Sequence, residues 1–293
     1  MSLRGGNPGA GEETGPPRIV PDFGKTGTEH PRLQARGTPV WEKAQKTMDQ
    51  GPIHRPHFFF TTAPMPCPYL PGRMERKVVT DLTGSEAEPL HESLSRAGFR
   101  RSHTIAYAPV CAGCEACVPV RIRSHDFVQR RTLRKVWAAN ADLSGRLIPA
   151  RANVEQFHLF SQYQHARHGD SDMALMGFFD YRSMIEDSPI RTALAEFRDP
   201  AGVLKAACLI DHLSDGLSAV YSFFDTTLPP QRSLGTWIVL WLIEETLRQG
   251  LDYVYLGYWI ANSPKMAYKE RFQPLEAFSR QGWVPFEDLE TAG

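Results

Sequence analysis

The sequence predicts an α+β fold, and three observations lead to that prediction. Residues 191–225 read as three strands joined by the turns DPAG and SDG, which indicates an antiparallel meander. The next segment, SLGTWIVLWLIEETLRQGL, reads as a strongly apolar helix, and DYVYLGYWI as a buried strand. Upstream, three cysteines lie between two further predicted strands. The order helix, meander, helix and strand suggests an acyltransferase-like sheet in the C-terminal half, preceded by a small cysteine-containing α+β domain.

Composition divides the chain into three segments. Residues 1–52 are rich in Gly, Pro, Glu, Lys and Thr without an apolar period, so we expect a disordered extension there. Residues 53–145 are the predicted N-terminal domain, in which HFFFTT (57–62) suits a buried strand and GSEAEPLHESLSRAGF a helix between Ser85 and Gly98. FRRSHTIAYAP and CVPVRIRS suit further strands. Residues 146–285 begin with the helix NVEQFHLFSQYQHARHG and carry the acyltransferase-like sheet.

The overall composition is that of an ordinary globular protein. The 293 residues are 42% apolar, and Lys plus Arg equal Asp plus Glu at 33 each, so any affinity for nucleic acid must come from a local patch. No apolar run approaches the roughly 18 residues of a membrane span, and the N-terminus lacks the apolar core of a signal peptide. An odd number of cysteines, three of them closely spaced, favours a reducing compartment. We therefore expect a cytoplasmic protein with no membrane partner.

The cysteine cluster PVCAGCEACVPV is a candidate metal site. Two successive C-x2-C spacings place Cys111, Cys114 and Cys117 where tight turns can aim their sulfurs at one ion, and Cys67 could supply a fourth ligand. The group could hold a structural or regulatory zinc ion or an iron–sulfur cluster. The alternative is a set of free or redox-active thiols. Cys208 lies within a predicted strand and is expected to be core packing.

A basic stretch follows the cysteines directly. RIRSHDFVQRRTLRK contains a single acid, Asp126, against six cations: Arg121, Arg123, Arg130, Arg131, Arg134 and Lys135. Such clustering suits phosphate binding, because each neutralised phosphate releases counterions. We therefore predict that these six residues contact RNA, although a solvated charged face would have the same composition.

Two segments of the C-terminal half could form a substrate pocket. Arg232, Ser233 and Gly235 lie at a predicted helix entrance, where backbone N–H groups can bind a phosphate or a polarised carbonyl, or where the helix is simply capped. The strand that ends at Gly257-Tyr258-Trp259 is followed by Lys265, Tyr268 and Lys269. These aromatic and basic side chains could line a pocket, and they could equally form a closing aromatic cluster with surface lysines.

Seven motifs together resemble one family. The chain is similar to the bacterial members of the arginyl-tRNA–protein transferase family, and among these to the aspartate/glutamate leucyltransferase type. The resemblance runs from about residue 55 to 285 through FFFTTAPMPCPYLPGR, YAPVCAGCEACVPVRI, YQHARH, SDGLSAVYSFFD, RSLGTWIVL, YVYLGYWI and KMAYK.

The resemblance implies a fold, an activity and partners. We expect a GNAT-like sheet and transfer of leucine from leucyl-tRNA to the α-amine of proteins with N-terminal Asp or Glu, which marks them for N-degron degradation. The reaction requires no cofactor. Alternatives are an arginyl-tRNA donor with the same acceptors, a coenzyme A-dependent N-acyltransferase, or a non-catalytic metal-stabilised RNA-binding module.

The expected chemistry assigns roles to individual residues. A base must take a proton from the attacking amine, and the candidates are Asp225, His168 and, as a relay, Tyr258. The acidic side chain of the acceptor needs a cation, for which the candidates are Arg167, Arg232, Lys265 and Lys269. The walls of a leucyl pocket are expected from Trp259, Met266 and Phe224. An arginyl donor would instead need an acid, for which Asp211, Asp215 and Asp225 are available.

Overall fold

The computed structural model describes residues 56–169 and 171–289, so the predicted extension over residues 1–52 lies outside the described residues. The helices within them are α1 Ala87–Arg96, α2 Arg131–Ala138, α3 Val154–His168, α4 Phe178–Glu186, α5 Leu234–Arg248 and α6 Pro264–Ala267. The strands are β1 Phe60–Thr61, β2 Met65–Pro66, β3 Met74–Glu75, β4 Lys77–Asp81, β5 Arg100–Ser102, β6 Ile105–Pro109, β7 Val118–Arg123, β8 Ser144–Pro149, β9 Thr192–Arg198, β10 Leu204–His212, β11 Gly216–Phe224, β12 Tyr253–Trp259, β13 Leu275–Ser279 and β14 Gly282–Pro285. No helix in this part of the chain has the length and apolarity needed to cross a bilayer.

A mixed sheet of eight strands dominates the fold, in the order β14-β13-β7-β12-β11-β10-β9-β8. The predicted meander is confirmed, since β9, β10 and β11 pair in succession and antiparallel. β11 and β12 are parallel. A parallel pair needs a crossover connection, and the predicted apolar helix α5 supplies it. The other neighbouring strands of this sheet are antiparallel.

Helices and their apolar clusters cover both faces of the large sheet. Successive side chains of a strand point to opposite sides, so a single strand can contribute to both clusters. On one face α5 packs against the strands, and Phe197, Ile210 and Trp237 belong to a single apolar cluster there. On the other face α3 and α4 form a second cluster, to which Phe160 and Leu209 belong. Leu209 and Ile210 are neighbours in β10 and lie in different clusters, as the alternation requires.

A second, smaller sheet lies in the N-terminal part, in the order β1-β4-β6-β5. Helix α1 packs on it through a cluster that includes Leu82, Leu94 and Ala106. The prediction that HFFFTT is a buried strand is wrong, since Phe58 and Phe60 are 66% and 59% exposed. The strand there has only two residues and lies at the edge of its sheet, so little packs over its aromatic side chains.

The strand after the cysteines lies in the large sheet. β7, which the sequence assigned to an N-terminal domain over residues 53–145, pairs with β12 on one side and β13 on the other. β8 begins at Ser144 and also belongs to the large sheet. Val120 and Ile122 of β7 are almost fully buried in the α5 cluster. The residues from Pro56 onward accordingly form one compact unit.

A buried ion pair joins the two sheets. Arg101 of β5 donates Nε to Asp211 Oδ2 at 2.7 Å and Nη2 to Asp211 Oδ1 at 2.6 Å. Its Nη1 donates to His103 O at 2.8 Å, and the hydroxyl of Thr192 donates to Asp211 Oδ1 at 3.1 Å. The side chains of Arg101 and Asp211 are 1% and 0% exposed, so the carboxylate depends mainly on the guanidinium for its compensation. His91 Nε2 also lies 3.5 Å from Asp211 Oδ2, but burial lowers the pKa of His91.

The two parallel strands of the large sheet separate part-way along their length. Pairing ends at Ser218 and Tyr255, although β11 continues to Phe224 and β12 to Trp259. The side chain of Arg100 enters the gap, where Nη1 donates to Ser218 Oγ at 3.0 Å and Nη2 donates to the carbonyl of Ala219. Gly257, with φ of +72°, gives this side chain its space, since a Cβ there would lie 2.7 Å from Arg100 Nε.

Candidate active site

A cleft of about 500 Å³ opens where the separated strand β11 ends. The last turn of α3, the loop after β11, the first turn of α5 and the segment around α6 line this cleft. Eight of the residues predicted for the substrate pocket or for proton transfer line it: Arg167, His168, Asp225, Arg232, Ser233, Gly235, Lys265 and Tyr268. Phe224, which the sequence assigns to a pocket wall, lines it as well.

Two cations and a histidine lie together on one side of the cleft. Arg167 and Lys265 are exposed, and the guanidinium of Arg167 lies 5.8 Å from the centre of the Phe224 ring. Lys265 Nζ lies 3.5 Å from His168 Nδ1. Desolvation, together with the charges of Lys265 and Arg167, lowers the pKa of His168 below its ordinary value. The imidazole is therefore neutral at pH 7 and can accept a proton.

Asp225 is less suited to proton transfer than the sequence suggests. Its Oδ1 accepts from the backbone N–H of Thr227 at 2.9 Å and from the Thr227 hydroxyl at 2.6 Å, and its Oδ2 accepts from Lys205 Nζ at 3.3 Å. Partial burial opposes ionisation, but these hydrogen bonds together outweigh it and lower the pKa of Asp225. Both oxygens are thus engaged by groups that stabilise the carboxylate.

Arg232 lines the cleft with its guanidinium already paired. Nε donates to Asn140 Oδ1 at 2.8 Å, and Nη2 donates to Asp142 Oδ1 at 2.5 Å. Ser233, the next residue, has a φ of 44°, in the left-handed region. The helix entrance singled out in the sequence is therefore a constrained turn whose arginine points to a neighbouring loop.

Four other predicted site residues do not line the cleft: Tyr258, Trp259, Met266 and Lys269. The Tyr258 hydroxyl donates to Tyr107 O at 3.2 Å, and burial raises the pKa of Tyr258. Trp259 packs edge-on against Phe286, with ring centres 4.9 Å apart. β12 lies at the centre of a sheet covered on both faces, so neither aromatic side chain reaches the cleft.

Lys269 is buried instead of being a surface lysine. It is 6% exposed, and its Nζ donates to the backbone carbonyl of Tyr258 at 2.5 Å and lies 3.7 Å from Met266 Sδ. Burial, with a smaller contribution from the charge of Arg100, lowers the pKa of Lys269 to about 7. The lysine thus provides a donor for a carbonyl near the separation of β11 and β12.

Sequence reasoning missed several walls of the cleft, among them Tyr163, Leu228 and Leu234. The helical period assigns Tyr163 to an apolar face, and its ring meets Phe224 edge-on at 4.9 Å. The sequence signal that could have identified Tyr163 as a cleft residue was its position in the last two turns of α3, close to the predicted Arg167. Leu228 had no such signal, because it lies in a loop between β11 and α5.

The predicted RNA-contacting residues divide into two groups. Arg123, Arg130, Arg131, Arg134 and Lys135 are exposed, and three of them lie on α2. Arg121 is 8% exposed: its Nε donates to Glu276 Oε2 at 2.7 Å, and its guanidinium lies 3.6 Å from the ring centre of Tyr253. The prediction that Arg121 contacts RNA is therefore withdrawn, because its charge is already compensated inside the protein.

The four N-terminal cysteines lie near one another as thiols. Burial, followed by the neighbouring Cys67, Cys111 and Cys114, raises the pKa of Cys117 to about 12. Within residues 56–169 and 171–289, no three His, Cys, Asp or Glu side chains converge as a metal-ligand set. The residues do not fit a closed metal site in this conformation, so a zinc ion or iron–sulfur cluster stays a prediction.

Comparison with known proteins identifies the family. Residues 65–135 match "Arginine-tRNA-protein transferase, N terminus", and residues 155–279 match "Arginine-tRNA-protein transferase, C terminus". The chain belongs to this family. It is 74% identical over 246 residues to the aspartate/glutamate leucyltransferase of Rhodospirillum rubrum, across 84% of this chain and 100% of that relative. It is 63% identical to the aspartate/glutamate leucyltransferase of Paramagnetospirillum magneticum, across 82% of this chain and 98% of that relative.

Solved structures show a weaker likeness to this family member. L-PGS from Bacillus licheniformis matches with a TM-score of 0.39 at 12% identity, over 61% of this chain and 52% of that chain. FemX matches with a TM-score of 0.37 at 7% identity, over 62% of each chain.

Proposed function

We propose that this protein transfers leucine from leucyl-tRNA to the α-amine of proteins that begin with Asp or Glu. The observation that carries the proposal is the 74% identity to the full length of a relative named aspartate/glutamate leucyltransferase. The new N-terminal leucine would mark the acceptor for N-degron degradation, in the cytoplasm. The parallel pair that separates within an otherwise antiparallel sheet supports a GNAT-like core, with the cleft at the end of β11.

The reaction needs positioning and one proton acceptor. The acceptor amine attacks the carbonyl carbon of the leucyl ester, a C–N bond forms, and the C–O bond to the terminal ribose breaks, with a proton passing to the ribose oxygen. The ester is already activated, so placing the amine against it supplies much of the rate. An α-amine has a pKa of about 7.7–8.0, so part of it is already in the neutral, nucleophilic form near pH 7. We assign to His168 the acceptance of the proton that the attacking amine loses, because its neutral imidazole lines the cleft.

Arg167 and Lys265 are the proposed partners of the acceptor's acidic side chain. Both are exposed and line the cleft beside His168, so a carboxylate bound between them would hold the amine near the imidazole. Arg232 and Lys269 are less suited, because the first is paired with Asp142 and the second is buried.

The lining of the cleft favours a leucyl over an arginyl donor. Apolar walls come from Tyr163, Phe224, Leu228 and Leu234. Asp225 is the acid that lines the cleft among the described residues, and Thr227 and Lys205 already engage it. Asp211 and Asp215, the other acids considered for an arginyl donor, are bonded to Arg101 and Arg96.

The direct test is transfer of labelled leucine or arginine from charged tRNA to two peptides that differ only in an N-terminal Asp or Ala. We expect leucine to reach the Asp peptide alone, because only that peptide pairs with the two cations. Arginine on the Asp peptide would overturn the donor assignment. No transfer from either tRNA by freshly reduced protein would favour the non-catalytic RNA-binding module.

The role of Arg167 is tested by acceptor preference. We expect Arg167→Met to lower kcat/KM for an Asp peptide about 10- to 100-fold, because a hydrogen bond between charged groups is lost, and to lower it little for the isosteric Asn peptide. Arg248→Met is the matched control, since Arg248 also lies in the last turn of a 15-residue helix but away from the cleft. An undiminished Asp-over-Asn preference in the Arg167 variant would contradict the assignment.

A further inference from the structure

The paired guanidinium of Arg232 connects the cleft to a neighbouring loop. Asn140 accepts from Arg232 Nε through Oδ1, and its Nδ2 donates back to the Arg232 carbonyl at 2.7 Å. Asn140 Nδ2 also donates at 2.8 Å to the carbonyl of Val136, in the last turn of α2. Asp142 accepts a hydrogen bond from Nη2 of the same guanidinium through its Oδ1. Asn140 is fully buried, so one side chain ties the end of α2 to the rim of the cleft.

Helix α2 has two different faces. Leu133 is buried, and Trp137 packs against Trp237 of α5 with ring centres 6.1 Å apart. The other face presents exposed cations at helical spacing: Arg131, Arg134 and Lys135. The helix therefore offers a basic surface to solvent while its inner face is fixed to α5, whose first turn lines the cleft.

The rim that Arg232 holds is a constrained turn. Residues 229–233 line the cleft in part, and Ser233 has left-handed backbone dihedrals without being glycine. Such a conformation persists where surrounding contacts over-determine it. The contacts on the adjacent Arg232 come from Asn140 and Asp142, in the loop after α2. The geometry of the rim thus depends on the position of the basic helix.

We infer that Asn140, Asp142 and Arg232 are positioning residues that couple the basic face of α2 to the cleft. A tRNA whose body binds the exposed cations of α2 would then have its aminoacyl end placed in a rim of fixed geometry. This inference builds on the proposed function. Arg232, which the sequence assigned to binding of the acceptor, instead positions the aminoacyl end of the donor tRNA.

The coupling predicts different kinetic signatures for two kinds of variant. Arg134→Ala, on the basic face, is expected to raise KM for leucyl-tRNA with little change in kcat, because it removes a phosphate contact. Asn140→Ala and Asp142→Ala are expected to lower kcat with leucyl-tRNA about tenfold, because the bound tRNA loses its register with the cleft. Asp142→Asn keeps an acceptor oxygen for Arg232 and is expected to restore most of the rate.

The decisive comparison uses a short donor, a 3′-leucyl trinucleotide, that ends at the cleft and does not reach α2. We expect the Asn140 and Asp142 variants to lose clearly less rate with this donor than with leucyl-tRNA, because a loosened rim affects both donors whereas the lost register with α2 affects only the tRNA. Asp142 is half exposed, so its variant tests the idea even where Asn140→Ala unfolds. Equal losses with both donors, or no loss with tRNA, would overturn the coupling alone. Absence of transfer by the unmodified protein from either donor would overturn the proposed function and the coupling with it.

Discussion

Replacing Arg101 with methionine is expected to lower the free energy of unfolding by about 3–5 kcal/mol. The guanidinium makes two hydrogen bonds to Asp211 and a third to His103 O, all inside the protein. Methionine fills a similar volume but leaves the carboxylate of Asp211 in a site that is closed to water, where its remaining ionisable partner is the buried His91, whose pKa is lowered by burial. The loss is therefore expected to exceed that of an exposed ion pair several-fold. Urea unfolding monitored by tryptophan fluorescence measures it.

Two further variants separate this explanation from a general loss of packing. Arg96→Met breaks a partly exposed ion pair with Asp215 and is expected to cost about 1 kcal/mol. The double variant Arg101→Met with Asp211→Leu removes the stranded charge and is expected to recover much of the loss. A single Arg101 variant no less stable than the Arg96 variant would contradict the proposed role of the ion pair.

The contribution of Lys269 to the stability of the protein is expected to rise with pH through the window set by its own pKa. Its pKa is about 7 in the folded protein and 10.5 when exposed, so between these values the unfolded chain binds a proton that the folded protein does not. The cost of burying the charge is full below pH 7 and disappears above pH 10.5. Each pH unit within the window stabilises the folded state by up to about 1.4 kcal/mol.

Lys269→Met is expected to abolish this rise. Between pH 7.5 and 9.5, the unfolding free energy of the unmodified protein should gain about 2–3 kcal/mol relative to that of the variant. Other groups that titrate in this range are present in both proteins and cancel in the difference. Lys265→Met, an exposed lysine four residues earlier, is the control and should follow the unmodified protein. Parallel curves for the Lys269 variant and the unmodified protein would show that Lys269 stays charged.

Local patterns predicted most elements of the C-terminal half. The turns DPAG and SDG predicted the three strands β9 to β11, and the apolar helix before Gly250 is α5. The helix ending at Gly169 begins at Val154, where Asn153 and Gln156 form a capping box. These features depend on residues close in sequence, so they could be predicted without knowledge of the tertiary structure.

The cleft was predictable in part, for a related reason. Arg167, His168 and Lys265 lie at element ends, where side chains reach solvent in most arrangements of the neighbouring elements. Tyr258 and Trp259 lie in a strand whose depth depends on β7 and β11 at its sides and α5 over one face. The sequence predicted a buried strand here, but no local pattern reports those neighbours, so the separation of Tyr258 and Trp259 from the cleft could not be inferred.

By itself the sequence determined the family resemblance, the meander with its crossover helix, and the concentration of cations after the cysteines. The tertiary structure alone decided which of those cations are exposed. Arg121 and Arg123 lie two residues apart in one basic stretch, yet only Arg123 is exposed. The hairpin of β13 and β14 folds back over Arg121 and supplies Glu276 as an ion-pair partner and Trp283, whose ring centre lies 4.4 Å from the guanidinium. Those residues are more than 150 positions away, and long-range packing of this kind has no signature in the local sequence.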